Sequence, residues 1–477
     1  MSRIISILLA LALFVIMASC SDSGNFIIDD PEITQGTIDL SDPSAWSLAS
    51  TPADPLLFPE ASLMNDVAYG ENLALFAWYT IDRLFTQLNS PNAPGYIKND
   101  LDGLSYPYAR EVAFNEVFPD QELNYGESSV IQTLNLSFYP RERGPYNLDS
   151  KNVDQYGYLL YPERRWGGIM RSFDIAKTNF EQVGIKYIQF WLLDPFMDDE
   201  LLNRDGGFLY FNLGEVSEDV LKDDRMSHES GSPLKGDNAD AILTIWGKVH
   251  AQDDLLPYAN DDTDAARRRL QDVGLDGLIN EEEFTHPTYA NYVNELRTVL
   301  SADTYHAMLD DPFSPFNDPA GDNYAYYRHT YYDNQSVHII GRYKHYNGTD
   351  GNSLLQDALT DAQYQQARSK LDNEDIDYDN ALNEYERFFQ YRIAIHPDSM
   401  QEGRNYITDK REAKVHVRNG MTQVATWYQF TIPLTDYQKK VGSIQDFSYI
   451  RFMRIFMTGF KGITHLRFAT LGLITGE

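Results

Sequence analysis

V-G-I-K-Y-I-Q-F-W-L-L-D-P-F at residues 183–196, followed by G-G-F-L-Y-F-N-L-G at residues 206–214, is the stretch that decides the fold. Residues 185–193 are almost all β-branched, aromatic or aliphatic, which indicates a strand buried on both faces. An acidic turn containing Pro195, Asn203 and a glycine pair separates this strand from a second one at residues 208–213. We therefore predict the central hairpin of an antiparallel β-sandwich.

Further strand patterns lie on both sides of this hairpin, and a helical pattern lies between them. Residues 73–85 fit either a strand or a helix. The other predicted strands cover residues 129–138, 164–173, 241–250, 388–395, 414–417, 425–433, 449–457 and 464–473. A glycine pair, Gly167-Gly168, predicts a bulge or a close backbone approach.

The helical pattern occupies the middle of the chain. Residues 261–309 have apolar side chains near helical spacing, residues 357–371 predict a second, polar helix, and residues 324–346 are rich in tyrosine and strand-like. We predict a mainly β fold: a jelly-roll sandwich of the galactose-binding type, interrupted by an α-rich insertion with EF-hand-like loops. Two separate sandwiches are the alternative.

The predicted domain organisation follows from these patterns. It comprises a lipoprotein signal peptide at residues 1–20, a flexible tether at 21–60, the first part of the sandwich at 61–250, the insertion at 251–386 and the closing strands at 387–477.

The first twenty residues predict targeting. Arg3 precedes an apolar run at residues 4–17, which is short for a membrane span and typical of a signal peptide. M-A-S-C at residues 17–20 has the pattern of a lipoprotein box, so Cys20 is the predicted lipidation site. The alternative is an ordinary cleavage site with an incidental cysteine. Cys20 is the single cysteine of the chain, so an internal disulfide is excluded.

Composition excludes some functions. The net charge of −32 argues against nucleic acid as a partner, because phosphates demand a basic face. It is compatible with calcium, although solubility alone accounts for much of it. The sequence contains no G-x-S-x-G, H-E-x-x-H, phosphate-loop or G-x-G-x-x-G motif. We therefore expect no enzymatic activity, and a glycosidase with paired carboxylates is the weakest alternative.

The sharpest local motif is D-I-D-Y-D-N-A-L-N-E-Y-E at residues 375–386, which has the twelve-residue spacing of an EF-hand loop. Asn380 stands at the sixth position, where the chain must turn with positive φ. An acidic loop that caps a helix is the alternative to a calcium site. The predicted calcium ligands are Asp375, Asp377, Asp379, the carbonyl of Ala381, Asn383 and Glu386.

A second loop, D-V-G-L-D-G-L-I-N-E-E-E at residues 272–283, has the same spacing but a glycine, Gly274, at the third position. An Asn-capped helix with an acidic first turn explains it equally well. The predicted ligands here are Asp272, Asp276, the carbonyl of Leu278, Asn280 and Glu283.

Longer motifs carry a family resemblance. They include W-Y-T-I-D at residues 78–82, Y-P-R-E-R-G-P-Y-N at 139–147, R-W-G-G-I-M-R at 165–171, S-E-D-V-L at 217–221, Q-D-V-G-L-D-G-L at 271–278, I-R-F-M-R at 450–454 and L-R-F-A-T-L at 466–471. These motifs resemble segments of the SprA (Sov) family of gliding motility and type IX secretion, across roughly residues 73–477. The resemblance implies a soluble region of a very large outer-membrane translocon, without the long series of strands that a barrel needs.

The resemblance and the signal together predict a non-enzymatic, lipid-anchored component of a type IX secretion and gliding apparatus at the outer membrane. Its predicted partners are outer-membrane secretion and motility proteins, including a barrel component, and the membrane itself through the lipid. The alternative function is a surface glycan-binding lipoprotein, with Trp427, Tyr428 and the aromatic residues at 324–346 as candidate contacts.

Overall fold

Two antiparallel sheets face each other across the main hydrophobic core. The structure is a computed structural model and describes residues 37–87, 90–123, 128–229, 241–249, 264–353 and 371–476. The strands are β1 (Ile38–Asp39), β2 (Ser47–Leu48), β3 (Ala74–Tyr79), β4 (Val112–Ala113), β5 (Val130–Ile131), β6 (Leu134–Arg143), β7 (Trp166–Ser172), β8 (Ile185–Leu193), β9 (Gly207–Glu215), β10 (Ile242–Leu243), β11 (Lys248–Val249), β12 (Arg387–Ile395), β13 (Ile407–His416), β14 (Thr422–Pro433), β15 (Lys439–Val441), β16 (Phe452–Thr458) and β17 (Thr464–Thr475).

The helices are short and lie outside the two large sheets. They are α1 (Arg83–Thr86), α2 (Gly95–Asn99), α3 (Phe114–Val117), α4 (Phe180–Val183), α5 (Ala265–Gln271), α6 (Asn280–Glu283), α7 (Pro287–Val299), α8 (Ala302–Leu309) and α9 (Thr330–Asn334). Five of them, α5 to α9, fall between β11 and β12. The helical character predicted for residues 251–386 is therefore confirmed in the described part of that range, whereas the helix predicted at 357–371 falls almost entirely outside the described residues.

The first large sheet has the order β13-β14-β8-β17-β6-β3, with β1 also paired to β17. The second has the order β15-β12-β9-β16-β7-β2. In both sheets, strands from before the insertion pair directly with strands from after it. The prediction of one interrupted β-sandwich is thus confirmed, and the alternative of two sandwiches is wrong.

Aromatic side chains fill the space between the sheets. Phe190 of β8 and Phe211 of β9 have no exposed surface, and their ring centroids lie 5.7 Å apart across the core. Phe190 also stacks on Phe430 of β14, with ring centroids 4.6 Å apart. Burying each ring contributes about 1.5–3 kcal/mol to folding, which explains why this aromatic stretch anchors the sandwich.

The predicted hairpin is wrong, although both of its strands exist. Strand β8 pairs with β14 and β17, whereas β9 pairs with β12 and β16 in the other sheet. The intervening turn therefore carries the chain from one layer to the other, a separation of about 10 Å. Asn203 braces this turn by donating from its side-chain amide to the carbonyl of Pro195 at 2.9 Å.

Other strands differ from prediction mainly at their ends, but the single strand predicted at residues 241–250 is wrong: β10 and β11 pair with each other, outside the two large sheets. Strand β6 continues through Pro140 to Arg143, where its pairing with β3 becomes irregular, as proline requires. Strand β13 begins at Ile407, earlier than predicted, because its alternating charged residues conceal an edge strand. The close approach predicted for the glycine pair is confirmed: a Cβ on Gly168 would lie 2.5 Å from a carbonyl oxygen of β16.

The flexible tether predicted at residues 21–60 is wrong from residue 37 onward. Strand β1 pairs with β17, and β2 pairs with β7. Between them Trp46 is fully buried and donates from Nε1 to the carbonyl of Leu40 at 2.9 Å. The polar composition of this stretch concealed the aromatic side chains that fix it to the core.

Candidate functional site

The loop that starts at Asp375 has the turn geometry predicted for it. The Asp375 carboxylate accepts hydrogen bonds from the backbone N–H groups of Asp379 at 2.9 Å and Asn380 at 3.0 Å. Asn380 has a φ of 62°, so the prediction of positive φ at the sixth position is confirmed. The loop continues directly into β12, and a capped helix does not follow it within the described residues.

The predicted ligands of this loop divide into two groups. Asp377 and Asp379 bind the guanidinium of Arg451, the latter at 2.9 Å. Glu386 instead forms two hydrogen bonds of 2.8 Å with the guanidinium of Arg454 in β16. Ala381 is exposed, and its N–H donates to Asp379.

A carboxylate from outside the loop, that of Glu218, lies beside two of the predicted ligands. Single oxygens of Glu218, Asp375 and Asp377 all lie within 4.8 Å of one another. Glu218 accepts hydrogen bonds from the N–H groups of Ile376 at 2.7 Å and Asn383 at 3.0 Å. Burial, followed by the charge of Asp377, raises the pKa of Glu218 to about 8. Calcium at this loop remains a prediction; the geometry favours Glu218 over Glu386 as its third carboxylate.

The second loop lies within the insertion, and its residues 272–278 are buried. The Asp272 carboxylate accepts the N–H of Ser353 at 3.0 Å and 3.1 Å, and Asp276 accepts the N–H of Leu278 at 3.0 Å. Asn280 is the first residue of α6, and its side-chain amide donates to Asn323 at 3.1 Å. The alternative of an Asn cap is therefore wrong, although the acidic first turn of α6 is present.

The last predicted ligand of this loop, Glu283, belongs to a cluster that the spacing could not predict. Single oxygens of Glu283, Asp322 and Asp350 lie within 4.8 Å of one another. Asp322 follows a turn in which Asp318 accepts backbone N–H groups, among them that of Gly321 at 2.7 Å. The only sequence signal was this D-P-A-G-D-N turn at residues 318–323, which has the same kind of Asp-led geometry as the first loop.

Several of the aromatic residues predicted as glycan contacts are buried, whereas Tyr324, Tyr331 and Tyr346 are partly exposed. Trp427 has no exposed surface and donates from Nε1 to Glu116 at 2.9 Å, and Tyr428 is only 6% exposed. The segment at 324–346 contains α9 and a 3₁₀ turn, so its strand-like prediction is wrong. Within it Tyr343 is fully buried and stacks on Tyr327, with ring centroids 4.9 Å apart. Trp427, Tyr428 and Tyr343 therefore offer no exposed ring for stacking on a sugar.

Comparison with known proteins places part of the chain in a family. Residues 291–477 match the family model SprA_N, described as motility related/secretion protein. The resemblance to the SprA (Sov) family is confirmed over that range, and the protein has a motility- or secretion-related role. Curated proteins give no match.

The matched range does not correspond to a closed structural unit. It begins within α7 and includes β12 to β17. Strand β16 lies between β9 and β7, and β17 lies between β8 and β6, all of which precede the match. The family segment therefore requires the N-terminal half of the chain to complete both sheets.

Proposed function

We propose that the protein is a non-enzymatic, lipid-anchored component of a type IX secretion and gliding apparatus at the outer membrane. The observation that carries this proposal is the family match over residues 291–477, whose strands are integral to both sheets. A sandwich built in this way offers a rigid body for docking to other envelope proteins. Its proposed partners are outer-membrane secretion and motility proteins.

The proposed anchor is a lipid on Cys20, which lies outside the described residues. Its support is the M-A-S-C pattern after an apolar run at residues 4–17. Within the described part of the chain, no helix combines the length and the apolar character that crossing a membrane requires. A lipid chain, with a second acyl chain for stable attachment, would hold the folded body at the bilayer surface.

A buried Ser–His pair supports the absence of catalysis in this proposal. Ser137 Oγ lies 2.8 Å from His465 Nδ1, the geometry in which a histidine can activate a serine nucleophile. Ser137 has no exposed surface and also bonds the hydroxyl of Tyr79 at 2.9 Å. Because this hydroxyl is not exposed, its position favours a role in the packing between β6 and β17.

A surface cavity of about 360 Å³ gives similar support. It lies between the N-terminal segment and residues 371–378, and its charged lining residues are Arg171 and Asp372. Cleavage of a glycosidic bond requires two carboxyl groups on opposite sides of the sugar. Among the described residues that line this cavity, a second carboxylate is absent.

The decisive experiment is affinity capture of a tagged chain from native membranes, followed by mass spectrometry. We expect the wild-type chain in the outer-membrane fraction, together with secretion and motility proteins, one of them a barrel-forming protein. Cys20→Ser is the matched control and should leave the membrane fraction. Capture of wild-type protein without any secretion or motility protein, or sugar release by the purified chain, would contradict the proposal.

A further inference from the structure

Three acidic side chains from separate parts of the insertion meet beside the core. Glu283 is the last residue of α6, Asp322 ends a tight turn, and Asp350 lies in the loop that follows Thr349. One oxygen of each lies within 4.8 Å of the others. Glu283 and Asp322 are 0% and 1% exposed, whereas Asp350 is partly exposed.

Hydrogen bonds account for only half of the oxygens of the two buried carboxylates. Glu283 Oε2 accepts the N–H of Ala320 at 2.8 Å, and Asp322 Oδ2 accepts the hydroxyl of Tyr146 at 2.7 Å. The other oxygens, Glu283 Oε1 and Asp322 Oδ1, are buried without a hydrogen-bond partner. An unpartnered buried polar atom is costly, and a charged one more so.

Positive side chains nearby are engaged elsewhere. Among the described ion pairs, none includes Glu283, Asp322 or Asp350. Arg143 approaches this region, but its guanidinium donates to the backbone carbonyls of Asp318 and Pro319, the latter at 2.7 Å. The carboxylate cluster therefore lacks a counter-charge from the described chain.

We propose that Glu283, Asp322 and Asp350 together bind one calcium ion. All three supply hard oxygen ligands, which calcium prefers, and they come from irregular loops whose geometry suits its flexible coordination better than the strict octahedron of magnesium. The site shares only Glu283 with the twelve-residue loop predicted from the sequence. It is independent of the proposed secretion role, so either can fail without the other.

The ionised forms of the three carboxylates repel one another. The pKa values of Glu283, Asp322 and Asp350 are all raised well above the ordinary range. Burial is the largest cause, and repulsion between neighbouring carboxylates, including Asp276, is the next. A bound divalent cation reverses this repulsion and stabilises the ionised forms.

The position of the site indicates what the ion does. The hydroxyl of Tyr146, which donates to Asp322, also accepts the N–H of Leu275 at 2.7 Å. The backbone N–H of Tyr146 donates to the carbonyl of Ala320 at 2.7 Å, and its ring lies in the main core. Calcium here fixes three loops of the insertion to the sandwich, a stabilising role that disulfides cannot fill in this chain.

Isothermal titration calorimetry of the full chain, stripped with EGTA and dialysed into buffer containing magnesium, tests the site. Calcium should bind and raise Tm. We expect Asp322→Asn to lose one binding site, or to weaken it by about tenfold or more, because one ligand charge is removed. Asp350→Asn, whose side chain is partly exposed and less critical for folding, should do the same.

The matched control is Asp303→Asn, an exposed acid in α8 of the same insertion, which should leave stoichiometry and affinity unchanged. Asp375→Asn distinguishes this site from the acidic loop at residues 375–386. If that variant loses a calcium site, the Asp322-dependent site must remain intact. An Asp350→Asn variant that binds calcium with wild-type stoichiometry and affinity overturns the proposal. So does a wild-type chain that binds no calcium.

Discussion

Glu386 provides a direct test of the structure, because its sequence position predicts calcium binding whereas its structural contacts predict an ion pair. As the twelfth residue of an EF-hand loop it would chelate calcium, but in the structure its carboxylate binds the guanidinium of Arg454 through two hydrogen bonds of 2.8 Å. It also accepts the N–H of Ser217 at 3.0 Å. We predict that Glu386→Gln lowers stability equally with and without calcium.

The magnitude follows from the burial of the pair. Arg454 has no exposed surface, and the side chain of Glu386 is 16% exposed. A glutamine keeps the shape but accepts only one of the two hydrogen bonds and leaves the guanidinium without a counter-charge. Breaking a buried ion pair costs about 3–5 kcal/mol, and the partial exposure of Glu386 places the expected loss at about 3 kcal/mol. For a chain of 477 residues that corresponds to a fall in Tm of roughly 3 °C.

Thermal unfolding in EGTA and in saturating calcium, followed by circular dichroism, measures this loss. Glu384→Gln is the matched control, since its carboxylate is 41% exposed and its only described ion pair, with Lys222, spans 3.9 Å; it should change stability by less than about 0.5 kcal/mol. The reasoning is refuted if Glu386→Gln leaves Tm in EGTA unchanged but abolishes the rise that calcium produces, because Glu386 is then a metal ligand.

Three further predictions concern the sandwich. Burial lowers the pKa of His465, which is hydrogen-bonded to Ser137, from 6.5 to about 4. The stability that its neutral form contributes is therefore lost as the pH falls from about 6.5 to about 4. In urea titrations over this range, the stability advantage of the wild type over His465→Gln should shrink by up to roughly 3 kcal/mol, and a constant difference contradicts this. Gly168→Ala places a Cβ 2.5 Å from a carbonyl oxygen of β16 and should cost about 1–3 kcal/mol in urea unfolding; an unchanged midpoint argues against the close approach. Phe211→Ala should cost about 3–5 kcal/mol, while Leu56→Ala, at a side chain 90% exposed, should be neutral; equal effects would refute the assigned core.

Sequence patterns predicted the positions of the strands better than they predicted which strands pair with each other. The apolar run in β8 is recognisable from its residues alone, because residues 190–193 are consecutively buried and therefore consecutively apolar, whereas Lys186 is exposed. The pairing partner of β8 was mispredicted. The short connection to β9 suggested a hairpin, whereas the two strands lie in different sheets and Phe190 and Phe211 meet across the core. Pairing depends on the strands that close each sheet from the far end of the sequence, and local patterns contain no information about them.

The candidate ion sites show the same limit. The spacing of the loops identified Asp375 and Glu283 as members of acidic clusters. It assigned Glu386 to an ion, because spacing does not reveal that Arg454 lies beneath it in β16. Asp322 and Asp350 were missed because only tertiary folding brings their loops to Glu283.

The placement of β16 and β17 in the interior of their sheets has a consequence for how the protein matures. Both follow the other strands in sequence, yet each separates two strands that precede it by hundreds of residues. Until they arrive, four strand edges stay open to unintended partners, a state prone to aggregation. We therefore expect a nonsense mutation upstream of β16 to leave these four strand edges unpaired, and the chain to aggregate rather than to form a shortened but working domain.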